Sequence, residues 1–270
     1  MKAREVIINK ILEQMKKGVL PWNNPYINSG VHRNFVTGHA YNGINVLTTW
    51  LSGYSKPYWL SFKQAKKLGG TVRKGEKGSP ILYFTVVEDK KDPQKTFPIF
   101  KYTPMFNVEQ CDLPFEIETE NKNIGDPIVE CEAIINRYPI EAVQTSSQLY
   151  GSYSKELNVI KMPEMKQFAS IEEYYSTYFH EMIHSTAPTL GRKKDRATEE
   201  LIAEIGSAMM CNEAGLGFAH NTEIFKNQVA YIQGWMKQIE EKPQILITAA
   251  SEASKAVECI LNLSTEEVAA

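Results

Sequence analysis

From Arg4 to Lys17 the apolar residues Val6, Ile7, Ile11, Leu12 and Met15 recur at helical spacing, and the run stops at Gly18, a residue suited to a helix C-terminus. This pattern predicts an amphipathic helix. After turn formers between Pro21 and Gly30, the stretch Asn42 to Leu51 predicts a second helix. A third is marked by Ser61 with Gln64 three residues on, a capping box, and is closed by Gly69-Gly70. Two β-rich runs, Ile81 to Val87 and Phe97 to Val108, flank a polar connection and predict an antiparallel hairpin. Between Asp112 and Pro127 the chain turns acidic and loop-like, which places a domain boundary there. Beyond it a short strand, Leu157 to Met162, precedes a helix that opens on a second capping box, Ser170 with Glu173. Helices follow at about Glu199 to Ala214, Thr222 to Glu241 and Ile245 to Leu263. The expected fold is therefore α+β in two domains: residues 1–115, with the hairpin, and residues 128–270, mostly helical with one short edge strand.

Composition adds limits. At 270 residues and 43% hydrophobic content the chain can bury a core. It has no uncharged apolar run of the roughly 18 residues a membrane span needs, and Met1 to Leu20 mixes charges through its apolar positions, unlike a signal-peptide core. A cytoplasmic protein without a membrane partner is expected. Cys111, Cys131, Cys211 and Cys259 are scattered with no C-x-x-C pair, so buried thiols are expected in place of disulfides or a cysteine zinc site. The net charge of −2 hides an asymmetry: residues 1–88 hold thirteen Lys and Arg against four acids, and the remainder holds 17 against 28. The basic part is suited to a polyanion.

The chemistry concentrates on the Ser170 helix. Ile171, Tyr174, Tyr175, Tyr178, Phe179 and Met182 form one apolar stripe, and His180 and His184 project from nearly the opposite side. Imidazoles at i and i+4 converge on one ion, and a glutamate directly after the first, Glu181, lies beside that ion without ligating it, placed to accept a proton from water. Zinc needs one more ligand. Glu200, at the start of the next helix, is the preferred candidate, with Glu204 on the same face as an acceptor for a histidine N–H or as the alternative third ligand. Acids at a helix start also favour the helix dipole without any metal. One Zn2+ per chain is expected, other divalent ions being possible. His220, Tyr231 and Tyr153 are candidate donors to an oxyanion.

In the basic part, aromatic residues including Tyr41 and Trp59 interleave with Lys63, Lys66, Lys67, Arg73, Lys74 and Lys77. Aromatic platforms beside a cationic track are what sequence-tolerant single-strand binding needs, although most aromatics of a small domain are core. The loop Arg73 to Gly78 lacks the Walker pattern, so nucleotide hydrolysis is not implied.

The runs Tyr41-Asn42-Gly43-Ile44-Asn45-Val46-Leu47, Trp59-Leu60-Ser61-Phe62-Lys63-Gln64-Ala65, Gly69 to Gly78 and Phe106 to Cys111 resemble the N-terminal single-stranded-DNA-binding domain of ArdC-type antirestriction proteins. Phe179-His180-Glu181-Met182-Ile183-His184 and Glu200-Leu201-Ile202-Ala203-Glu204 resemble the zincin-type metallopeptidase domain paired with it. The resemblance implies a protein of a plasmid, phage or other mobile element that binds single-stranded DNA and protects incoming DNA from restriction. The chain departs from the family pattern at Ser185 and Ala187, where tryptophan and glycine usually flank the threonine, and at Asn158, where aspartate is usual. Two readings follow: a DNA-associated zinc peptidase acting on a protein substrate the sequence does not name, or a binding protein whose metal site is structural or vestigial. Glu181 favours the enzyme, since a structural site has no use for a general base. Nuclease action is disfavoured, because phosphodiester cleavage more often uses carboxylate-rich sites holding two metals.

Overall fold

The computed structural model describes residues 3–22, 30–88, 96–117, 126–216 and 233–261. Helix α1 (Ala3–Lys16) buries Ile7, Ile11, Leu12 and Met15 of the face the spacing marked out, with Ile8 buried beside them and Val6 left half-buried. It ends where Gly18, at φ 80°, turns the chain and its N–H bonds to the Met15 carbonyl. A short strand β1 (Arg33–Asn34) leads to α2 (Ile44–Trp50), which begins two residues later than its sequence pattern predicts. Gly43 has no side chain to cap that start. Instead its N–H donates to Ser254 Oγ at 2.8 Å, and a Cβ there would already touch the Ser251 backbone.

Strand β2 (Tyr58–Ser61) runs directly into α3 (Phe62–Lys67), whose Ser61–Gln64 capping box is formed in both directions. Strand β3 (Thr71–Val72) follows, and then the hairpin, β4 (Ser79–Glu88) and β5 (Thr96–Asn107), paired antiparallel in unbroken register from Ser79↔Met105 to Glu88↔Thr96. The first sheet has the order β1-β2-β5-β4, and β3 pairs separately with β6 (Cys111–Asp112).

After α4 (Pro127–Arg137), capped by Asp126, come β7 (Glu141–Gln144), β8 (Ser152–Ser154) and β9 (Val159–Met162). These three form a second sheet in the order β7-β9-β8. The strand expected at an edge is thus the middle one. Its neighbours escaped the sequence reading because both are short and at best half-buried, so neither shows a clear alternation of apolar and polar residues. Helices α5 (Ile171–Ser185), α6 (Arg196–Glu213), α7 (residues 233–241) and α8 (Gln244–Leu261) complete the described chain. The expected helix from Thr222 is described only from residue 233.

Strands dominate the N-terminal part and helices the C-terminal part, yet one hydrophobic core runs through both. Residues of α1 and α2 share it with α5, α6 and α8. Trp22 meets Trp235 edge to face at 5.6 Å across the two parts. Small residues on α8, Ala249, Ala250, Ala253 and Ala256, are buried against this core and let neighbouring backbones approach. The four cysteines are free; Cys111, Cys131 and Cys211 are buried as expected, and Cys259 is half-buried. Among the described residues no helix is long and apolar enough to cross a membrane.

Candidate metal centre

Helix α5 starts where Ser170 Oγ accepts the Glu173 N–H, and Glu173 reaches back to the Ala169 N–H instead of the Ser170 N–H. Tyr174, Tyr175, Tyr178, Phe179, Met182 and Ile183 are buried, at roughly 1.5–3 kcal/mol for a large apolar side chain, so the helix cannot rotate to bury its histidines instead. Helix α6 begins at Asp195, which caps Thr198 through both N–H and hydroxyl. The two helices pack closely at Gly206, where an added Cβ would lie 2.7 Å from Ile183 Cδ1. That contact holds the acidic start of α6 against the histidine face of α5.

The ligand atoms of His180, His184 and Glu200 lie within 4.8 Å of one another, the one such group of three among the described residues. The two Nε2 atoms are 3.1 Å apart, and Glu200 Oε2 is 3.4 Å from the first and 3.7 Å from the second. Donors 2.0–2.2 Å from a tetrahedral ion sit roughly 3.3–3.6 Å from each other, so two imidazoles and one carboxylate in this arrangement fit a divalent ion. The opposite ring nitrogens face other carboxylates: His180 Nδ1 is 3.8 Å from Glu204 Oε1, and His184 Nδ1 is 3.6 Å from Glu199 Oε1. A carboxylate on the Nδ1 side favours the tautomer whose Nε2 lone pair points at the ion. Glu204 therefore lies behind His180, away from the point on which the Nε2 atoms converge.

Glu199 was missed as an orienting group, and so was its holder. Arg192, buried on the loop between α5 and α6, donates to Glu199 Oε1 at 2.7 Å, to Thr186 Oγ1 at 2.6 Å and to the Ile183 carbonyl at 2.8 Å. The chain Arg192–Glu199–His184 joins the end of α5 to the start of α6. Sequence offered one signal for it, an arginine six residues after a buried threonine, too weak to read without coordinates.

Hydrogen bonds from His180 and His184 hold the Glu200 carboxyl far below the usual carboxylate range. Burial alone would lower His184, but the Glu199 and Glu200 carboxylates outweigh it and raise it to about 9. The centre is built to hold positive charge. Glu181 differs: burial raises its carboxyl, and the neighbouring histidines only partly offset that. It sits under β8, whose Tyr153 backbone N–H lies on the carboxyl's side and lowers it slightly. A Cβ on Gly151 would fall 2.7 Å from Thr177 and 3.3 Å from Glu181 Oε1, so glycine is what lets the strand pass this close.

The centre opens into a cleft of about 560 Å3, with Gly151, Ser152, Tyr153 and Lys155 on one wall and Ala187, Pro188, Arg192 and Arg196 among the residues on the other. The Tyr153 hydroxyl donates to Asn158 Oδ1 at 2.9 Å, and Asn158 occupies the left-handed region at φ 53°, which asparagine tolerates better than most residues. The other two candidate oxyanion donors, His220 and Tyr231, lie outside the described residues.

Of the candidate DNA contacts, Lys63, Lys66 and Lys67 on α3 and Lys74 and Lys77 in the following loop are exposed. Arg73 is tied down by Asp112 at 3.6 Å, Glu76 at 3.5 Å and the Glu109 carbonyl. Gly78 is explained by packing, since a Cβ there would lie 2.8 Å from Pro104. Tyr41 and Trp59 correct the expectation: both rings are buried with Ile81 and Met105, and Trp59 Nε1 donates to the buried His32. Neither has a face free for a base, because both side chains are almost fully buried.

Comparison with known proteins adds the following. A family model described as the N-terminal domain of anti-restriction factor ArdC matches residues 1–118, and one described as zincin-like metallopeptidase matches residues 130–252. Crystal structures of the antirestriction ArdC protein from the R388 plasmid are similar throughout. The metal-free form has a TM-score of 0.78 at 31% identity, covering 96% of each chain. The Mn(II)-bound form has a TM-score of 0.78 at 32% identity, covering 97% of this chain and 98% of the other. A DNA primase TraC of Escherichia coli is 29% identical over 98% of this chain, which spans only 20% of that primase's length.

Proposed function

The chain belongs to the ArdC antirestriction family, and from that premise we propose that it binds single-stranded DNA through residues 1–115, shields incoming mobile-element DNA from restriction in the cytoplasm, and hydrolyses peptide bonds of a protein substrate with residues 128–270. The observation that carries the peptidase reading is the convergence of His180, His184 and Glu200 beside a buried, desolvated Glu181 in one cleft.

His180, His184 and Glu200 would hold a divalent ion, for which we assign zinc on the nitrogen-rich donor set, and the bound ion would polarise a carbonyl and acidify water. Glu181 does the proton work. Burial makes its carboxylate a stronger base than an exposed glutamate, so it can take a proton from the attacking water and return it to the leaving amine. Strand β8 supports a peptide substrate, because an edge strand lining the cleft offers an extended chain a place to lie alongside.

The test is Glu181→Gln, which keeps shape and removes the base. Metal content should stay at one ion per chain while peptide cleavage falls by about two to four orders of magnitude. DNA protection by that variant at the wild-type level would move the function to binding alone. Loss of metal would instead make Glu181 a ligand and overturn its role as base.

A further inference from the structure

The β4–β5 ribbon extends beyond what covers it. Near the body of the protein, Leu82 and Phe100 join the main core, with the Arg4 guanidinium 3.3 Å over the Phe100 ring, and Ile81 and Met105 pack in the Trp59 cluster. Along the same ribbon Tyr83, Phe84, Val86, Phe97, Ile99 and Tyr102 are all exposed, Phe84 by 66%. The register sorts them onto two faces. Phe84, Val86 and Tyr102 share one, while Tyr83, Phe97 and Ile99 share the other, with Lys101 directly opposite Tyr83. Scattered exposed apolar residues are ordinary, but six on one two-stranded ribbon, four of them aromatic and three on each face, are a concentration that calls for an occupant.

We infer that this ribbon is the surface on which unpaired bases of single-stranded DNA stack, an inference that rests on the DNA-binding reading above. Aromatic rings accept any base, since every base has a π-face. Charge agrees with that occupant: the loop carrying Lys74 and Lys77 runs directly into β4, Lys101 stands beside Tyr83, and residues 1–88 hold thirteen basic against four acidic residues. The two-faced distribution agrees as well. A rigid partner surface would cover one face and leave the other wet, whereas a flexible strand can follow the ribbon around its edge. The ribbon also supplies the ring faces that the buried Tyr41 and Trp59 do not.

The experiment compares binding of the full chain to a fluorescent oligothymidylate and to an abasic oligonucleotide of the same length, which keeps the phosphates and lacks the bases. Wild type should prefer the thymidylate. Tyr83→Ser with Phe84→Ser should weaken thymidylate binding by about 10-fold or more and leave abasic binding unchanged, as expected when stacking is lost. The conservative Tyr83→Phe with Phe84→Tyr should restore the preference, which separates ring loss from misfolding. Equal thymidylate binding by wild type and the serine variant overturns the inference and leaves the DNA reading standing. Failure of wild type to bind either oligonucleotide removes the DNA reading and the inference together. A serine variant that changes only the oligomeric state, seen by light scattering, makes the ribbon a contact between copies of the chain and overturns the inference.

Discussion

At the metal centre the functional side chains are backed by others: His184 by Glu199, Glu199 by Arg192, Arg192 by the end of α5, while Glu181 lies under the backbone of β8. On α3 and the loop after it, Lys63, Lys66, Lys67, Lys74 and Lys77 reach solvent, and among the described residues none forms an ion pair. The contrast fits the role proposed for each site. Chelation tolerates errors of a few tenths of an ångström, so its ligands sit on rigid helices with a second ring of partners. Phosphate attraction falls off slowly with distance, so mobile lysines on a surface suffice.

The largest expected effects are therefore at the centre. His180→Ala, His184→Ala and Glu200→Ala should each lose most of the bound metal at micromolar protein, read by elemental analysis and by calorimetric titration, with thermal stability falling alongside. Glu204→Ala should weaken binding by about 10- to 100-fold, as loss of a group behind a ligand does. Full occupancy in Glu200→Ala would mean the third ligand lies elsewhere and would undo the comparison at its stronger end.

Arg192 tests whether the second ring matters as much as the first. Arg192→Ala leaves Glu199 facing the end of α5 without its cation, and removing one partner of a buried pair costs about 3–5 kcal/mol, measurable by denaturant unfolding. Arg192→Lys keeps the charge but cannot bond Glu199, Thr186 and Ile183 together, so the protein should fold while metal affinity drops by roughly 10-fold or more. Unchanged metal affinity in the lysine variant would make Arg192 a brace for the loop and nothing more.

The same contrast decides what could be read without coordinates. The i, i+4 histidines, the capping box at Ser61 and the helix start at Ser170 were legible because helical periodicity and capping residues turn spacing directly into geometry, although Glu173 closes its half of the box on Ala169 and not on Ser170. The hairpin was legible because two β-rich runs flank a polar link. What escaped depends on distant parts of the chain. Glu199 and Arg192 matter only because Gly206 brings α6 onto α5, and Gly151 matters only because β8 crosses Glu181. Trp59 was taken for a surface ring because an aromatic among lysines looks alike in sequence whether it faces water or a histidine such as His32. Tyr83 and Phe84 stood among the aromatics of the basic part, but which rings stay free could not be read, since burial of Leu82 and exposure of Phe84 depend on how far α1 and α2 reach.

The smallest effect expected lies on the basic surface, and it sharpens the comparison by separating two kinds of cation within a single loop. Among the described residues Lys74 and Lys77 have no ion-pair partner, and Arg73 is tied to Asp112, Glu76 and the Glu109 carbonyl. If the lysines meet phosphates, Lys74→Ala with Lys77→Ala should flatten the dependence of log affinity on log salt by about 1.4, at roughly 0.7 per phosphate contact on a single strand, with the melting temperature unchanged. Arg73→Ala should do the reverse, lowering the melting temperature and leaving the slope near that of wild type, because its guanidinium already joins the β3–β6 pair to the turn before it. An unchanged slope in the lysine pair would take this loop off the DNA surface. A slope change in Arg73→Ala as large as that of the lysines would mean that its ion pairs open to admit phosphate, and that the basic surface is no less organised than the metal centre.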